Sequence, residues 1–207
     1  MGKLENTRLA EETVIYVKRP RGYGGGPERA IVAMNAGELG GVDEQTFKKY
    51  RDGHAGSRDE LTRAVMEMRE IKASLSDKKD GKRSMKVIAK VALASGFGNC
   101  QEQAALGFRF LKKERGARCV DVMMCAYTNN FGNQDVHYFL LIGRPEGVAS
   151  SNVAGWGDDA VVCDPWAPPH LRVYDAGLFP HKMKETLGPF SILGAGARLN
   201  AEGKTAY

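Results

Sequence analysis

The pattern of apolar positions changes along the chain, from helical spacing in the first half to strand-like runs in the second. Residues 12–19 are rich in β-branched and aromatic side chains, which predicts a short strand. A capping box at residues 57–60 (Ser-Arg-Asp-Glu) opens an apolar stripe, which predicts a long helix over 57–75. A further helix is predicted after the cap residue Ser84, ended by Gly-Phe-Gly at residues 96–98.

The second half carries short apolar runs typical of buried strands. We predict strands over residues 120–127, 138–142 and 160–163, with a fourth over 171–174 after two prolines. Beyond residue 188 the chain is rich in Gly and Ala, and we expect it to be less regular.

Helices followed by strands predict an α+β fold, with N-terminal helices packed on a mainly antiparallel sheet. A chain of 207 residues is long enough for one domain with a substantial core. We expect a single catalytic domain, with a mostly helical region over 1–83, a catalytic core over 84–175 and a C-terminal extension over 176–207.

Composition and charge narrow the classes of partner. No apolar run approaches the roughly 18 residues of a membrane span, and the first fifteen residues mix both charges, so no signal peptide is predicted. The net charge of +5 is uneven, at +7 over residues 1–115 and −2 over 116–207. The densest basic run, 78–83, has no interleaved aromatic residue, so nucleic-acid binding is not predicted. An acidic protein surface or anionic lipid suits this charge better.

Cofactor and metal motifs are absent from the sequence. The glycine-rich segment 20–27 has neither G-x-G-x-x-G nor G-K-[ST], so we interpret it as a connection, with a helix beginning near Pro27. The four cysteines form no C-x₂-C pair, and no H-x₃-H spacing occurs. We therefore predict no cofactor, no metal site and no disulfide framework.

Cys100 is the strongest candidate for chemistry. Asn99 is a good N-cap and Glu102 stands three residues later, so Cys100 is predicted to be the first residue of a helix. The N–H groups and dipole at a helix N-terminus favour the thiolate, which is the nucleophilic form. Small residues at Ala104 and Gly107 share its helix face and allow a sheet to approach closely. The alternative is a buried structural cysteine.

His137 and Asp164 are the candidate partners of this thiol. His137 precedes an apolar strand pattern, and Asp164 ends another in Asp-Pro-Trp166. An unpaired buried carboxylate is costly, and an imidazole would pair with it and be oriented toward the sulfur. Trp166 could shield that bond from water. The alternatives are a core histidine bonded to a backbone carbonyl and an Asx turn closed by Asp-Pro. The alternative acids, each in more polar surroundings, are Asp135, Asp158 and Asp159.

The segments Gly98-Asn-Cys-x-Glu-x-Ala104, His137-Tyr-Phe-Leu-Leu-Ile142 and Asp164-Pro-Trp166 resemble the Cys-His-Asp core of papain-like and transglutaminase-like proteins. The likeness covers about residues 95–167 and is greatest to cysteine deamidase and protease domains of bacterial toxins and type III effectors. It implies a papain-like fold with Cys100 as nucleophile, His137 as general base and acid, and Asp164 as orienter.

One departure from the papain pattern concerns the oxyanion hole. Papain-type proteases place a Gln a few residues before the nucleophile, and residues 80–99 contain none. Asn99 or a loop amide is left as the second donor, with Glu102 and Trp166 as supporting residues. The long segment 145–159 is expected to be a loop beside the site, with Trp156 as a substrate contact.

The resemblance implies amide chemistry on a protein substrate. We expect a glutamine deamidase acting on a host protein, as a secreted effector in the host cytoplasm. The alternatives are a cysteine protease, a transglutaminase, and a non-catalytic protein-binding module with a degenerate triad.

Overall fold

The computed structural model of the chain describes residues 2–18, 81–95, 98–129 and 132–206. The helix predicted over 57–75, the glycine-rich connection and the helix start near Pro27 lie outside the described residues. Within them, the protein is α+β, with helices packed against one antiparallel sheet. No helix of this described part is both long and apolar enough to cross a membrane.

The first element is a helix, α1 (Lys3–Lys18), so the strand predicted over residues 12–19 is wrong. The β-branched residues that suggested a strand cost a helix only a few tenths of a kcal/mol each. Packing of one face outweighs that cost, because the helix lies against the rest of the domain. The buried positions recur at helical spacing: Asn6, Leu9, Ala10, Thr13 and Val17.

Two further helices lead to the candidate nucleophile, α2 (Gly81–Ser95) and α3 (Cys100–Glu114). Ser84 lies inside α2 and does not cap it, so the predicted start of this helix is wrong. Lys82 and Arg83 are good helix formers, which extends the helix toward Gly81. The helix ends at Ser95, immediately before the predicted Gly-Phe-Gly stop.

In the described part of the chain, six strands form the sheet, in the order β4-β3-β2-β1-β5-β6, and every neighbouring pair is antiparallel. The predicted strands are confirmed in place, although β2 begins four residues earlier than predicted. The strands are β1 (Val120–Thr128), β2 (Gln134–Ile142), β3 (Val161–Cys163), β4 (Val173–Asp175), β5 (Phe190–Leu199) and β6 (Thr205–Ala206). Short 3₁₀ helices span Val153–Gly155, Pro169–Leu171 and Ala176–Leu178.

The segment after residue 188 is regular, contrary to expectation. It forms β5, which pairs with β1, and helix α4 (Phe179–Leu187) precedes it. Gly and Ala are poor strand formers, which hid this strand from the sequence pattern. Gly194 has φ +112, a conformation that favours glycine, and the register between β1 and β5 shifts nearby. Glycine at this position therefore accommodates an irregularity in the ladder. β5 and β6 thus extend the sheet beyond β1.

The sheet buries apolar side chains on both faces. On one face, residues of α1 and α3 such as Leu9 and Phe108 pack against Val122 and Leu140. On the other face, α4 and the segment after β2 cover Phe139. The second cluster includes Trp156, Phe179 and Met183. The helix that carries Cys100 is therefore anchored to a sheet that is itself covered from both sides.

A buried carboxylate links the central strands. Asp121 on β1 is fully buried and accepts two hydrogen bonds from Arg144, at 2.8 and 2.9 Å. Its register partner Arg198 on β5 donates two more, at 2.8 and 3.0 Å. The two guanidinium groups compensate the desolvation of the carboxylate, and they tie β1 to β5 and to the turn after β2.

Gly107 lies where α3 packs closely against α1 and β2. A Cβ at this position would lie 2.7 Å from Cγ2 of Thr13 on α1 and 2.8 Å from Cδ1 of Leu140 on β2. Contacts this short require the Thr13 or Leu140 side chain to shift, so glycine suits the observed spacing. The expectation that a small residue here lets the sheet approach is confirmed.

We predict that Gly107→Ala destabilises the protein. In an exposed helix, replacing glycine by alanine raises the free energy of unfolding by about 0.5–1 kcal/mol. At Gly107 the added methyl group overpacks the core, so we expect the free energy of unfolding to fall by about 1–3 kcal/mol instead. Urea denaturation measures the change. Gly177→Ala is the matched control, because a Cβ there meets nothing within 4 Å. Equal stability of the two variants would contradict the prediction.

Candidate active site

Cys100 occupies the position that the sequence predicts, the first residue of α3 with Asn99 as N-cap. The Asn99 N–H donates to Oε2 of Glu102 at 2.9 Å, and the Gln103 N–H donates to the Asn99 carbonyl at 3.0 Å. The Gln103 side chain also donates to the carbonyl of Gly98 at 2.8 Å. These bonds fix the turn before the helix and hence the position of the sulfur. Glu102 therefore contributes to the site by fixing the turn that positions Cys100.

His137 lies within β2, not at its start, because the strand begins at Gln134. It is 1% exposed and pairs across the ladder with Cys125 of β1. Its Nε2 lies 2.6 Å from Oδ2 of Asp164, which is also 1% exposed. The two residues meet because β2 and β3 are adjacent antiparallel strands.

Asp164 combines the two roles considered for it. Its Oδ1 accepts the N–H groups of Trp166 at 3.2 Å and Ala167 at 3.3 Å, which closes an Asx-type turn. Its own N–H donates to the Arg172 carbonyl at 2.7 Å. Because the turn uses Oδ1, Oδ2 is left for His137. The turn thereby aims the carboxylate at the imidazole.

Cys100 lies beside His137: both line the same cleft, and the thiol adds to the rise in the pKa of the imidazole. Nε2 is engaged by Asp164, so Nδ1 is the ring nitrogen left to face the thiol. The Cys100 sulfur lies 3.7 Å from the backbone carbonyl of Val136, the residue before the histidine. The three candidate residues are thus brought together in the order Cys100, His137, Asp164.

The surroundings of His137 favour its protonated form. Burial by itself lowers the pKa of the imidazole, but the Asp164 carboxylate and, to a smaller extent, Cys100 outweigh burial and raise the pKa to about 10. A protonated imidazole beside a sulfur stabilises the thiolate electrostatically. The arrangement therefore places a protonated imidazole beside the Cys100 sulfur.

A cleft of about 360 Å³ opens at the sulfur. The start of α3 (Asn99, Cys100 and Gln101) forms one wall, and Tyr127 and Asp135 of the central strands form another. Asn99 lines the cleft beside the sulfur. The cleft makes the partly exposed thiol of Cys100 accessible from outside the domain.

The two tryptophans lie in different environments. Trp166 lines the cleft, and its ring centroid is 5.2 Å from that of His137. Trp156 is 1% exposed, donates from Nε1 to the Ser150 carbonyl at 3.0 Å and packs 4.9 Å from Phe179. The structure places Trp156 in the core, away from the cleft, so burial excludes the substrate contact expected of it.

Sequence reasoning did not identify Tyr127 and Cys125 of β1 as neighbours of the site. The Tyr127 hydroxyl donates to Oδ2 of Asp135 at 3.3 Å, and burial, with the nearby Asp135 and Cys100, raises the pKa of Tyr127. Burial also raises the pKa of the Cys125 thiol to about 12, so it stays protonated beside the triad. The register of β1 against β2 brings these residues together, and the sequence alone does not give that register.

Within the described residues, no three His, Cys, Asp or Glu side chains converge as a metal site. Comparison with protein-family models, curated proteins and solved structures found no match. The function proposed below therefore depends on the geometry of the site and on the motif resemblance.

The His137–Asp164 pair predicts a specific pH dependence of stability. The folded pKa of His137, about 10, lies above its usual value of 6.5, so the stabilisation is complete below pH 6.5 and is lost as pH rises through about 10. Asp164→Asn retains an acceptor for the Asx turn but removes the charge. We expect this substitution to lower the free energy of unfolding by about 3–5 kcal/mol below pH 6.5, and by less as the pH rises.

Urea denaturation of both proteins across this range measures the difference. Asp158→Asn is the control, because Asp158 is exposed and outside the site. A cost for Asp164→Asn that is constant or grows with pH would contradict the assignment of the pair.

Proposed function

We propose that the protein is a cysteine-dependent amide hydrolase with a Cys100–His137–Asp164 triad. One observation carries the proposal: the His137 imidazole lies 2.6 Å from the buried Asp164 carboxylate and lines one open cleft together with Cys100, the thiol at the N-terminus of α3. A structural cysteine needs no such partners. A buried ion pair is also a costly feature for a module that only binds.

In the proposed mechanism, the Cys100 thiolate attacks the carbonyl carbon of an amide. The N–H groups at the start of α3, with Asn99, stabilise the oxyanion. His137 transfers the proton on Nδ1 to the nitrogen that leaves as ammonia or an amine, and a thioester remains. His137 then takes a proton from water as the water attacks the thioester, which releases the carboxylic acid and restores the Cys100 thiolate beside the protonated imidazole. Asp164 holds the ring throughout.

We infer that the amide is a glutamine side chain of a host protein. The absence of the protease-type Gln before Cys100 and the resemblance to effector deamidase domains favour deamidation. A thiol-bearing helix packed on an antiparallel sheet that carries the His and the Asp supports a papain-like fold. The same resemblance suggests a secreted effector that acts in the host cytoplasm.

The triad predicts selective alkylation of Cys100. With limiting iodoacetamide at neutral pH, Cys100 should react at least about tenfold faster than the partly exposed Cys119, because the imidazolium favours the thiolate. His137→Ala should remove this advantage and leave the rate at Cys119 unchanged. Peptide mass spectrometry measures both sites in one sample. Equal rates at the two cysteines in the wild-type protein would contradict the triad.

Mass spectrometry of a eukaryotic cell lysate tests the reaction itself. Wild-type protein and Cys100→Ala are incubated with the lysate, and the peptides are compared. We expect Gln-to-Glu conversion on a small set of proteins with the wild type only. New termini would identify a protease and isopeptide cross-links a transglutaminase. No Cys100-dependent product of any kind would overturn the enzyme proposal.

A further inference from the structure

A second concave site lies on the helical side of the domain, between α2, α3 and the C-terminal hairpin of β5 and β6. It is a groove of about 670 Å³, larger than the cleft at Cys100. Along α3, Lys112 is twelve residues from Cys100, about 18 Å at the helical rise of 1.5 Å per residue. The groove is therefore separate from the candidate active site and on the same helix.

The groove is lined by cations around an apolar floor. Six of the described residues that line it are basic: Lys86, Lys90, Arg109, Lys112, Lys113 and Lys204. Among the described residues, no Asp or Glu lines the groove, and none of the six takes part in an ion pair. Met85, Ala105 and Phe108 form the floor. Like charges held this close repel one another, so the groove favours a partner that supplies negative charge.

We propose that this groove binds an acidic segment of a partner protein, with acidic side chains on the cationic rim and an apolar side chain on the floor. Charge complementarity with a small apolar centre is typical of protein recognition sites. This inference does not depend on the chemistry at Cys100.

A polypeptide fits the site better than the two other anionic partners do. Nucleic acid stacks its bases on exposed aromatic faces, and Phe108, the aromatic residue of the floor, is only 5% exposed. A membrane surface requires apolar side chains that protrude beside the cations. The large exposed apolar residues among the described ones, Leu4, Ile15, Leu178 and Leu193, do not line the groove.

Fluorescence anisotropy with a labelled peptide of alternating Glu and Leu tests the proposal. We expect the double variant Lys86→Glu, Lys90→Glu to weaken binding by on the order of tenfold or more, because both side chains are exposed on the rim. Lys86→Gln, Lys90→Gln should give a smaller loss. The matched control, Arg118→Glu with Lys184→Glu, makes the same change in net charge at exposed positions outside the groove and should bind as the wild type does.

Further arms separate the partner classes. A peptide with Ser in place of Leu should bind more weakly, and added salt should weaken the Glu–Leu peptide. Circular dichroism verifies that each variant is folded. The proposal is overturned if wild-type protein does not bind the peptide, if the control pair loses as much affinity as the groove pair, or if phosphatidylserine vesicles or single-stranded RNA bind the groove more tightly than the peptide.

Discussion

The buried pair of His137 and Asp164 is the interaction on which the site depends. Leu140 of β2 lies opposite Cys163 of β3, which brings His137 and Asp164 onto the same face of the antiparallel ladder. The 2.6 Å bond between them then fixes the imidazole. A shift of one residue in this register would move His137 to the other face of the sheet, away from its carboxylate. The pairing of two strands therefore specifies both the charge and the orientation of the histidine.

The thiol reaches this pair because of how α3 packs. Gly107 allows the helix to lie against Thr13 of α1 and Leu140 of β2 without displacing either side chain. Leu140 also pairs with Cys163 in the ladder between β2 and β3. One contact thus relates the helix that carries Cys100 to the strands that carry its partners. Packing of the core and geometry of the site are set by the same residues.

Short sequence motifs are sufficient to predict the parts of the site that depend on neighbouring residues in the chain. Asn99 and Glu102 marked the start of α3, and apolar runs marked the strands that hold His137 and Asp164. The errors concern residues whose state depends on distant contacts. The segment 12–19 has strand-like side chains but is helical because of its buried face. The residues that flank Trp156 are typical of a loop, but its side chain is buried in the core. The Gly- and Ala-rich β5 is held by its partner strand and not by its own propensity.

The position of β5 beside β1 bears on the order in which the protein can assemble. Val120 pairs with Leu199, so one edge of β1 is without its partner until nearly all of the described chain has been synthesised. Pairings between residues so distant in sequence form slowly, because the entropy of closing a long loop is lost before the stabilising contacts form. Until then, the nascent chain presents an open strand edge, which is prone to pair with other chains. The residues of the triad leave the ribosome well before the strand that completes their sheet. The sheet that holds these residues is therefore completed only after β5 has been made, and the edge of β1 stays open in the interval.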